Sequence, residues 1–536
     1  MTRAIARIGE EIWLTAVLCS SLACGGRSAI AEESDSASGE VGDRALGGSP
    51  TCGPIRAGAG GAVGATGQGV AAASAVDWYV DANTGADEGS GIREQPLKSL
   101  SCAALAARPG DTVVLVDGTW DASVDAKLGS LAATNCGVDS GIAFAENVNL
   151  RALNRGAVRV KSASYHGICM RGGFIAGIHF ECLPGRPVVE TNEGELSITA
   201  SSWKNCSTFG LDISGTASVS VRSGDLSNYS EGPNPQFAAL REQGALSVEG
   251  GRLSYLSTAF WLEDDASLAL HGVTLQSYDA TSMAGPAIHL HSGAPRLTID
   301  SGTSFDHTAV AILGTSTTAA MTLDDVALTN GTDGIIVNET ARTLVPKVSI
   351  SGLVVTDLKS TGVNISGSCD LSITNSTFTR VGGPAVMVNG FGNVSLDHVA
   401  FVDGWGALQF TNSGGSLSIK VRNTSATGGE YAGVSVSGDA RSLFDFGSLD
   451  SPGNNLFQAN NLGLHVGQAN LVFALGPQAL VKAVGNSWDA NQQGADSAGH
   501  YSVGAASVGL LVSNGDGPNY ASDAANAGQL LLAGTP

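Results

Sequence analysis

The chain repeats a short pattern with a period of about 23 residues over positions 348–419, which lies in the range of solenoid repeats. Each unit opens with an apolar-Ser-apolar triplet, and the triplets begin at Val348, Leu371, Val394 and Leu417. A second alternating segment lies in each unit, at positions 362–365, 385–388, 407–410 and 433–436. Looser copies of the triplet lie upstream, at Leu196, Val219, Leu246, Leu268, Leu297 and Thr322. Short alternating segments at such a constant period predict a solenoid.

The alternation within each unit indicates which kind of solenoid forms. Apolar residues alternate with Ser, Thr, Asn and Asp, so one face of each strand points inward and the other faces water. No unit has the apolar spacing of 3, 4 and 7 that the helices of leucine-rich, ankyrin or tetratricopeptide repeats require. The expected fold is all-β, a parallel β-helix of roughly ten coils whose neighbours bury one another's apolar faces.

The charge of the chain excludes some partners. Its net charge is −21 and its pI is near 4.7. Nucleic acid and anionic membrane surfaces attract clustered Lys and Arg, and the sequence has no basic stripe. We therefore expect no nucleic-acid partner.

The first residues have the composition of an export signal. Arg3 and Arg7 precede an apolar stretch at positions 12–23, which is too short for a stable membrane span. Cys24 ends a lipoprotein-like box, which predicts a signal peptide at 1–24 and acylation of Cys24. The alternative is cleavage after Ala31. Positions 25–76 are rich in Gly, Ala and Ser and indicate a disordered tether, and membrane contact is expected only through the lipid.

Export also permits disulfides among the seven cysteines that follow Cys24. Cys182 and Cys206 are separated by nearly one coil, and they follow Phe180 and Trp203 at positions that should be equivalent in the core. Stacked neighbours about 5 Å apart can be bridged, so we expect this pair. Cys102 and Cys136 are the second expected pair. The cysteine spacings match no zinc motif.

The segment from Tyr79 to Trp120 resembles a known family. The run Tyr79-Val80-Asp81-Ala82-Asn83 and the Pro109-Gly110-Asp111 turn flank a short Ala-rich helix that begins near Leu100. The pattern closely resembles the N-terminal domain of unknown function that opens many pectin-lyase-like right-handed β-helices, some of them polysaccharide lyases. The resemblance implies a right-handed β-helix with a capping helix. We place the cap at 77–125, the coils at 126–505 and a C-terminal cap at 506–536.

The resemblance also implies where a site would lie. Related lyases hold calcium with acids on the outer face of a parallel sheet, beside a Lys or Arg that removes a proton. The first outward position after each triplet gives one column: Thr199, Arg222, Glu249, His271, Asp300, Asp324, Ser351, Thr374, Asp397 and Lys420. Glu249, Asp300, Asp324 and Asp325 are the candidate calcium ligands, and Arg222 and Arg252 are the candidate catalytic residues. The competing interpretation is that these are ordinary solvated residues of a strongly acidic chain.

Exposed aromatic residues offer a third kind of site. Tyr255, Trp261 and Trp405 are candidate platforms for stacking against sugars, unless they pack locally. The sequence thus favours an exported, lipid-anchored, monomeric surface protein that binds a polysaccharide or cell-envelope glycan without catalysis. The alternatives are a polysaccharide lyase or hydrolase, a freely secreted form, and a purely structural envelope role.

Overall fold

The structure is a computed structural model. It describes residue 52 and residues 74–121, 124–125, 142–161, 167–181, 188–204, 209–222, 236–255, 258–277, 285–315, 318–339, 345–412, 415–430, 433–438, 442–447, 450–458, 471–475, 480–482, 487–488 and 510–513. The predicted signal peptide, with Cys24, lies outside these ranges. So do most of the predicted tether (25–76) and most of the predicted C-terminal cap (506–536).

The described part of the chain is built almost entirely from short strands. The N-terminal elements are β1 (Asp77–Val80), the helix α1 (Leu100–Ala106), β2 (Thr112–Leu115) and β3 (Gly118–Trp120). The strands that follow are β4 (Ile142–Ala143), β5 (Asn149–Ala152), β6 (Val158–Lys161), β7 (Ile168–Cys169), β8 (Gly173–Ala176), β9 (Ile178–Glu181), β10 (Val189–Thr191), β11 (Glu195–Thr199), β12 (Ser202–Lys204), β13 (Phe209–Ile213), β14 (Ser218–Arg222), β15 (Gln236–Leu240), β16 (Ala245–Glu249), β17 (Arg252–Tyr255), β18 (Phe260–Leu262), β19 (Ser267–His271) and β20 (Thr274–Ser277).

The second half continues in the same way. Its strands are β21 (Pro286–Leu290), β22 (Arg296–Asp300), β23 (Ser304–Asp306), β24 (Val310–Thr315), β25 (Ala320–Asp324), β26 (Ala327–Thr329), β27 (Asp333–Asn338), β28 (Lys347–Ser351), β29 (Val354–Thr356), β30 (Val363–Thr379), β31 (Pro384–Val402), β32 (Gly406–Thr411), β33 (Leu417–Arg422), β34 (Ser425–Thr427), β35 (Val434–Gly438), β36 (Leu443–Asp445), β37 (Leu456–Gln458), β38 (Leu471–Leu475), β39 (Leu480–Lys482), β40 (Ser487–Trp488) and β41 (Leu510–Ser513).

These strands stack into three parallel sheets, which confirms the predicted parallel β-helix. Sheet C runs from β4 to β41 through β13, β15, β18, β21, β24 and β27. Sheet A includes β14, β16, β19 and β22, and sheet B includes β17, β20, β23 and β26. The long strands β30 and β31 pass in turn through sheets C, A and B, so each of them makes one whole coil.

The register confirms most of the predicted repeats and corrects the last one. Leu371 pairs with Val394, and Val363 pairs with Val386, as the constant period predicts. Val394, however, pairs with Ile419 and not with Leu417. The prediction was wrong there by two positions, so Arg422 and not Lys420 is the partner of Asp397 in the outward column.

The interior is filled by columns of buried side chains. Phe180 pairs with Trp203 and both are buried, which confirms their predicted equivalence in the core. Their rings stack at 5.3 Å, and Phe237 and Phe260 extend the row with further centroid separations of 5.4 and 5.7 Å. Contacts of this kind between successive coils stabilise the stack, because no single coil can bury its own apolar face.

One corner of the coil depends on residues in the left-handed backbone region, and another depends on a glycine that leaves room for the neighbouring coil. Between sheets A and B these residues include Asp325 (φ 54°) and His398 (φ 55°). Because His398 lies at the corner, its Nδ1 reaches the Oδ1 of Asp397 at 3.0 Å. Between sheets C and A, a Cβ on Gly390 would overlap the carbonyl oxygen of Gly367, so this position accepts only glycine.

The cap contains the described helix and a network of hydrogen bonds around Asp111. Ser99 caps α1 by accepting a hydrogen bond from the Cys102 amide at 3.3 Å. Asp111 accepts hydrogen bonds from the Val76 amide and the Trp78 indole, at 2.8 and 3.0 Å. The described helix is not long or apolar enough to cross a membrane.

The disulfides differ from the expected ones. Cys102 is bonded to Cys52, with 5.6 Å between their Cα atoms, so the predicted Cys102–Cys136 pair is wrong. Cys52 was predicted to lie in the disordered tether. A disordered segment does not fix the distance from Cys52 to the other cysteines, so the sequence does not indicate its disulfide partner. Cys169 is also disulfide-bonded, whereas Cys369 is free and buried. Cys136, Cys182 and Cys206 lie outside the described residues, and the Cys182–Cys206 pair stays a prediction.

Candidate functional site

The predicted column forms on the outer face of sheet A, but its charges pair with one another. Thr199, Arg222 and Glu249 follow one another in register, and His271 and Asp300 come next. Arg222 Nε lies 2.9 Å from Glu249 Oε2, and His271 Nδ1 lies 2.6 Å from Asp300 Oδ1. The column is therefore a ladder of paired side chains and not a row of adjacent carboxylates.

The geometry of the four candidate calcium ligands does not bring them together. Within the described residues, no group of three or more His, Cys, Asp or Glu side chains is arranged to hold a metal ion. The hydrogen bond from His271 keeps the pKa of Asp300 below its usual range. Asp325 serves the corner after sheet A, and Asp324 is exposed at the end of β25. The arrangement gives calcium no multidentate oxygen site of the kind it prefers.

The two candidate catalytic arginines are also engaged elsewhere. Arg222 contacts Glu249, and both side chains are mostly exposed, at 64% and 60%. Arg252 begins β17 on sheet B, where it donates a hydrogen bond to Gln276. Each arginine thus has a contact of its own, and the structure does not join Arg252 to the acids of sheet A.

The three candidate aromatic platforms have different environments. Tyr255 is fully buried, so its prediction as a sugar platform is wrong, and burial raises its pKa above its usual value. The alternation in β17 turns it inward, where it fills the core beside Leu253. Trp405 is half-buried just before β32. Trp261 lies on the outer face of sheet C.

Trp261 belongs to a group of polar and aromatic side chains, here called the sheet C cluster. Its members project outward from four successive strands of sheet C, immediately before or after an inward Leu or Ile: Asp212, Arg241, Trp261, Glu263, His289 and His291. Residues two apart on a strand share a face, so Trp261 and Glu263 lie side by side, as do His289 and His291.

The charged members of the cluster are joined through Arg241. Its Nη1 lies 3.4 Å from Asp212 Oδ2, and its Nε lies 3.7 Å from Glu263 Oε2. Glu263 also accepts a hydrogen bond from the Trp261 indole at 2.9 Å. The side chains of Asp212 and Glu263 are only 21% and 29% exposed. These contacts fix the indole relative to two carboxylates and one guanidinium.

The aromatic members pack around the same indole. The Trp261 ring centroid lies 4.5 Å from that of His289 and 4.6 Å from that of His291. His289 Nε2 lies 3.1 Å from the hydroxyl of Thr315 in the next coil. His291 is exposed, while Trp261 and His289 are half-buried. The cluster therefore holds the half-buried indole in a fixed position beside hydrogen-bonding groups.

Partial burial changes the titration of two members. Burial, assisted by the neighbouring His291, lowers the pKa of His289 to about 4, so its imidazole is neutral at physiological pH. Burial raises the pKa of Asp212, although Arg241 opposes this and Glu263 adds to it. Shifted groups in one partly desolvated patch are typical of functional sites.

These two groups are not placed as an acid–base pair. Asp212 and His289 occupy the same register position three strands apart, through Ala239 and Trp261. At about 4.8 Å per strand, their backbones are about 14 Å apart. Glycosidic acid–base pairs lie about 5–9.5 Å apart. Asp212 and His289 are therefore too far apart to act as such a pair.

The sequence predicted only part of this cluster. Trp261 was predicted to bind sugar, whereas Asp212, Arg241, Glu263, His289 and His291 were not among the predicted site residues. Counting one residue past the inward Leu240, Leu262 and Leu290 would have aligned Arg241, Glu263 and His291. The unequal loops between these strands hide that alignment.

Comparison with known proteins supports the fold. The family model that describes the right-handed β-helix region matches residues 333–495 of the chain. Together with the parallel register, this match identifies the fold as a right-handed parallel β-helix. No curated protein matches the chain.

Two solved structures have a distant likeness to the chain. A PL6 alginate lyase in complex with a trisaccharide has 14% identity and a TM-score of 0.33, over 85% of this chain and 97% of the lyase chain. The A-module of the Azotobacter vinelandii mannuronan C-5 epimerase AlgE6 has 13% identity and a TM-score of 0.27, over 78% of this chain and 94% of that chain. At these scores neither structure supports an argument about activity.

Proposed function

We propose that this chain is a surface protein that binds a glycan through the sheet C cluster. The half-buried Trp261 ring, fixed by Glu263 and flanked by two imidazoles, is the observation that supports this function. Sugars present apolar C–H faces and hydroxyl rims. A rigid aromatic surface beside oriented polar groups suits both features.

Binding is favoured over cleavage by the arrangement of charge. Arg241 is held between Asp212 and Glu263, so its guanidinium is not available as the base of a lyase. A lyase needs a base and charge neutralisation at one place. Cleavage remains the second candidate because the neutral His289 can accept a proton and lies beside Trp261.

A glycan array with the full chain tests the proposal. Trp261→Ala should lose binding by about tenfold or more, which corresponds to about 1.4 kcal/mol of binding free energy. Arg222→Ala, on sheet A, is the matched control and should bind as the wild type does. Equal binding by folded Trp261→Ala would refute the site. Release of new reducing ends from a bound polymer would instead establish cleavage.

Export with a lipid on Cys24 is the second part of the proposal. The basic start, the apolar stretch at 12–23 and the box that ends at Cys24 support it. In a bacterial host given radiolabelled palmitate, the wild type should incorporate label and Cys24→Ser should not. A wild-type chain without label that is found in the medium would favour cleavage after Ala31.

A further inference from the structure

The sheet C cluster continues along the β-helix as two outward columns of side chains. The first column follows the register from Trp261 and comprises His289, Leu313, Ile336, Asn364, Met387 and Gln409. The second lies two residues further along each strand and comprises His291, Thr315, Asn338, Ser366, Asn389 and Thr411. Together we call them the sheet C track.

The first column of the track is unusual for an outward face. Leu313, Ile336 and Met387 project outward from the sheet and are half-buried, at positions where sheet A carries Ser, Thr or charged residues. Leu313 and Ile336 are neighbours, and Asn364 separates them from Met387. Apolar side chains grouped on an outer surface often mark a binding site. The second column supplies only hydroxyl and amide groups beside them.

Most of the track carries no charged side chain, unlike the sheet A column and the sheet C cluster. From Leu313 to Gln409 and from Thr315 to Thr411, neither column contains Asp, Glu, Lys or Arg. The charges in the adjoining cluster are two carboxylates and one guanidinium, and the whole chain has a net charge of −21. An acidic polymer would meet no unpaired cation here and would be repelled by the protein as a whole.

The length of the track suits an extended chain. Six steps of about 4.8 Å separate Trp261 from Gln409, so Trp261 and the track together extend over about 29 Å. Leu313, Ile336 and Met387 each lie beside a hydrogen-bonding residue of the second column, and the polar Asn364 separates Ile336 from Met387. A polymer that lies along the β-helix axis can meet this arrangement with its own repeating C–H faces and hydroxyls.

We propose that the sheet C track binds an uncharged polysaccharide lengthwise, with Leu313, Ile336 and Met387 against its sugar faces and Thr315, Asn338 and Asn389 against its hydroxyls. The inference depends on the proposed function, because it assigns the class of glycan to the same site. It excludes uronate polymers as the preferred ligand.

An array that carries uncharged glucans, mannans and xylans beside alginate and polygalacturonate tests this proposal. The wild type should bind uncharged polymers and discriminate at least about tenfold against the uronates. Hydroxyethyl cellulose and carboxymethyl cellulose add a pair that shares one backbone and differs in charge, and where the first binds, the second should bind more weakly. Uronates bound as tightly as the uncharged polymers would overturn the inference.

Variants separate this inference from the proposed function. Ile336→Arg should weaken binding of the uncharged polymer about tenfold. Val354→Arg, an equivalent change on the outer face of sheet B where Val354 is 47% exposed, should leave binding unchanged. If Trp261→Ala loses binding while Ile336→Arg retains it, the proposed function stands and the track is wrong. If the wild type binds no glycan, both proposals fall.

Discussion

Sheets A and C lie on the same coils, yet they hold their charged residues in different ways. On sheet A, Arg222 and Glu249 form a pair whose side chains are 64% and 60% exposed. On sheet C, Asp212 and Glu263 contact Arg241 with only 21% and 29% of their side chains exposed. Both groups are ladders between neighbouring coils, and they differ mainly in their access to water.

That difference determines what each ladder can do. Exposed ion pairs are screened by solvent and contribute little to stability or to ligand recognition. Partly desolvated groups interact more strongly, and here they include a histidine and an aspartate with shifted pKa values. A column of acidic and basic residues in the sequence is therefore weak evidence for a site until its burial is known.

The largest expected effect comes from a buried member of the sheet A column itself. Arg422 occupies the position next to Asp397, but its side chain is only 8% exposed and its Nη2 lies 2.8 Å from Asp445 Oδ1. Arg422→Ala should lower the free energy of unfolding by about 3–5 kcal/mol, because it leaves a partly buried carboxylate unpaired. Urea denaturation followed by circular dichroism measures the change.

Arg222→Ala is the matched control in the same column. It should lower the free energy of unfolding by no more than about 1 kcal/mol, since its pair with Glu249 is exposed. Equal losses in the two variants would show that position in the column, and not burial, sets the strength of these pairs.

The next effect is a loss of stability in acid that originates on sheet C. The folded-state pKa of His289 is lowered to about 4 from its ordinary value of 6.5. Its contribution to stability is therefore present above pH 6.5 and is lost as the pH falls toward about 4. The loss is roughly 3 kcal/mol at 1.36 kcal/mol per pKa unit. His289→Gln should be less sensitive to acid over this range, as measured by urea denaturation at several pH values.

A second variant identifies the cause of that shift. Trp261→Ala removes the ring that covers His289, so the pKa of His289 should rise toward its ordinary value. NMR titration of isotope-labelled histidine reports the pKa directly. A pKa near 4 in this variant would contradict the argument that the cluster itself desolvates His289.

Arg241→Gln should have an intermediate effect. It leaves Asp212 and Glu263 without their shared cation, but the guanidinium is 43% exposed, so the expected loss at neutral pH is about 1–2 kcal/mol. The change should also raise the pKa of Asp212 further, because Arg241 now lowers it. A raised carboxyl pKa stabilises the fold below the ordinary value and loses that contribution as the pH rises. The variant should therefore be closest to wild type in acid, and a loss independent of pH would contradict this.

The register shows what the repeat pattern could and could not predict. The constant period and its alternation predicted parallel coils and correctly paired Leu371 with Val394. The pattern failed for the next coil, where Val394 pairs with Ile419 instead of Leu417, because two extra positions leave the alternation of inward and outward residues intact. A register shift by an even number of residues keeps every apolar residue inside, so the periodicity of the sequence does not reveal it. The sequence therefore could not reveal that Arg422 belongs in the column.

The candidate site was predictable only in part for a related reason. In the register of sheet C, Ile213, Leu240, Leu262 and Leu290 are successive partners, although they are unequally spaced along the chain. Irregular spacing hides which outward residues become neighbours. Tyr255 was a different kind of error, because its alternation with Leu253 in β17 already indicates an inward side chain.

The smallest expected effect concerns the exposed ion pair on sheet A and its dependence on salt concentration. Glu249→Gln should cost about 0–1 kcal/mol at low ionic strength and almost nothing in 1 M salt, where the Debye length is about 3 Å. Glu263→Gln should retain much of its cost in salt, because its partners Arg241 and Trp261 are partly shielded from solvent. Urea denaturation at both salt concentrations makes the comparison. If salt weakens both effects equally, the two sheets do not differ in solvent access, and the electrostatic argument for placing the site on sheet C fails.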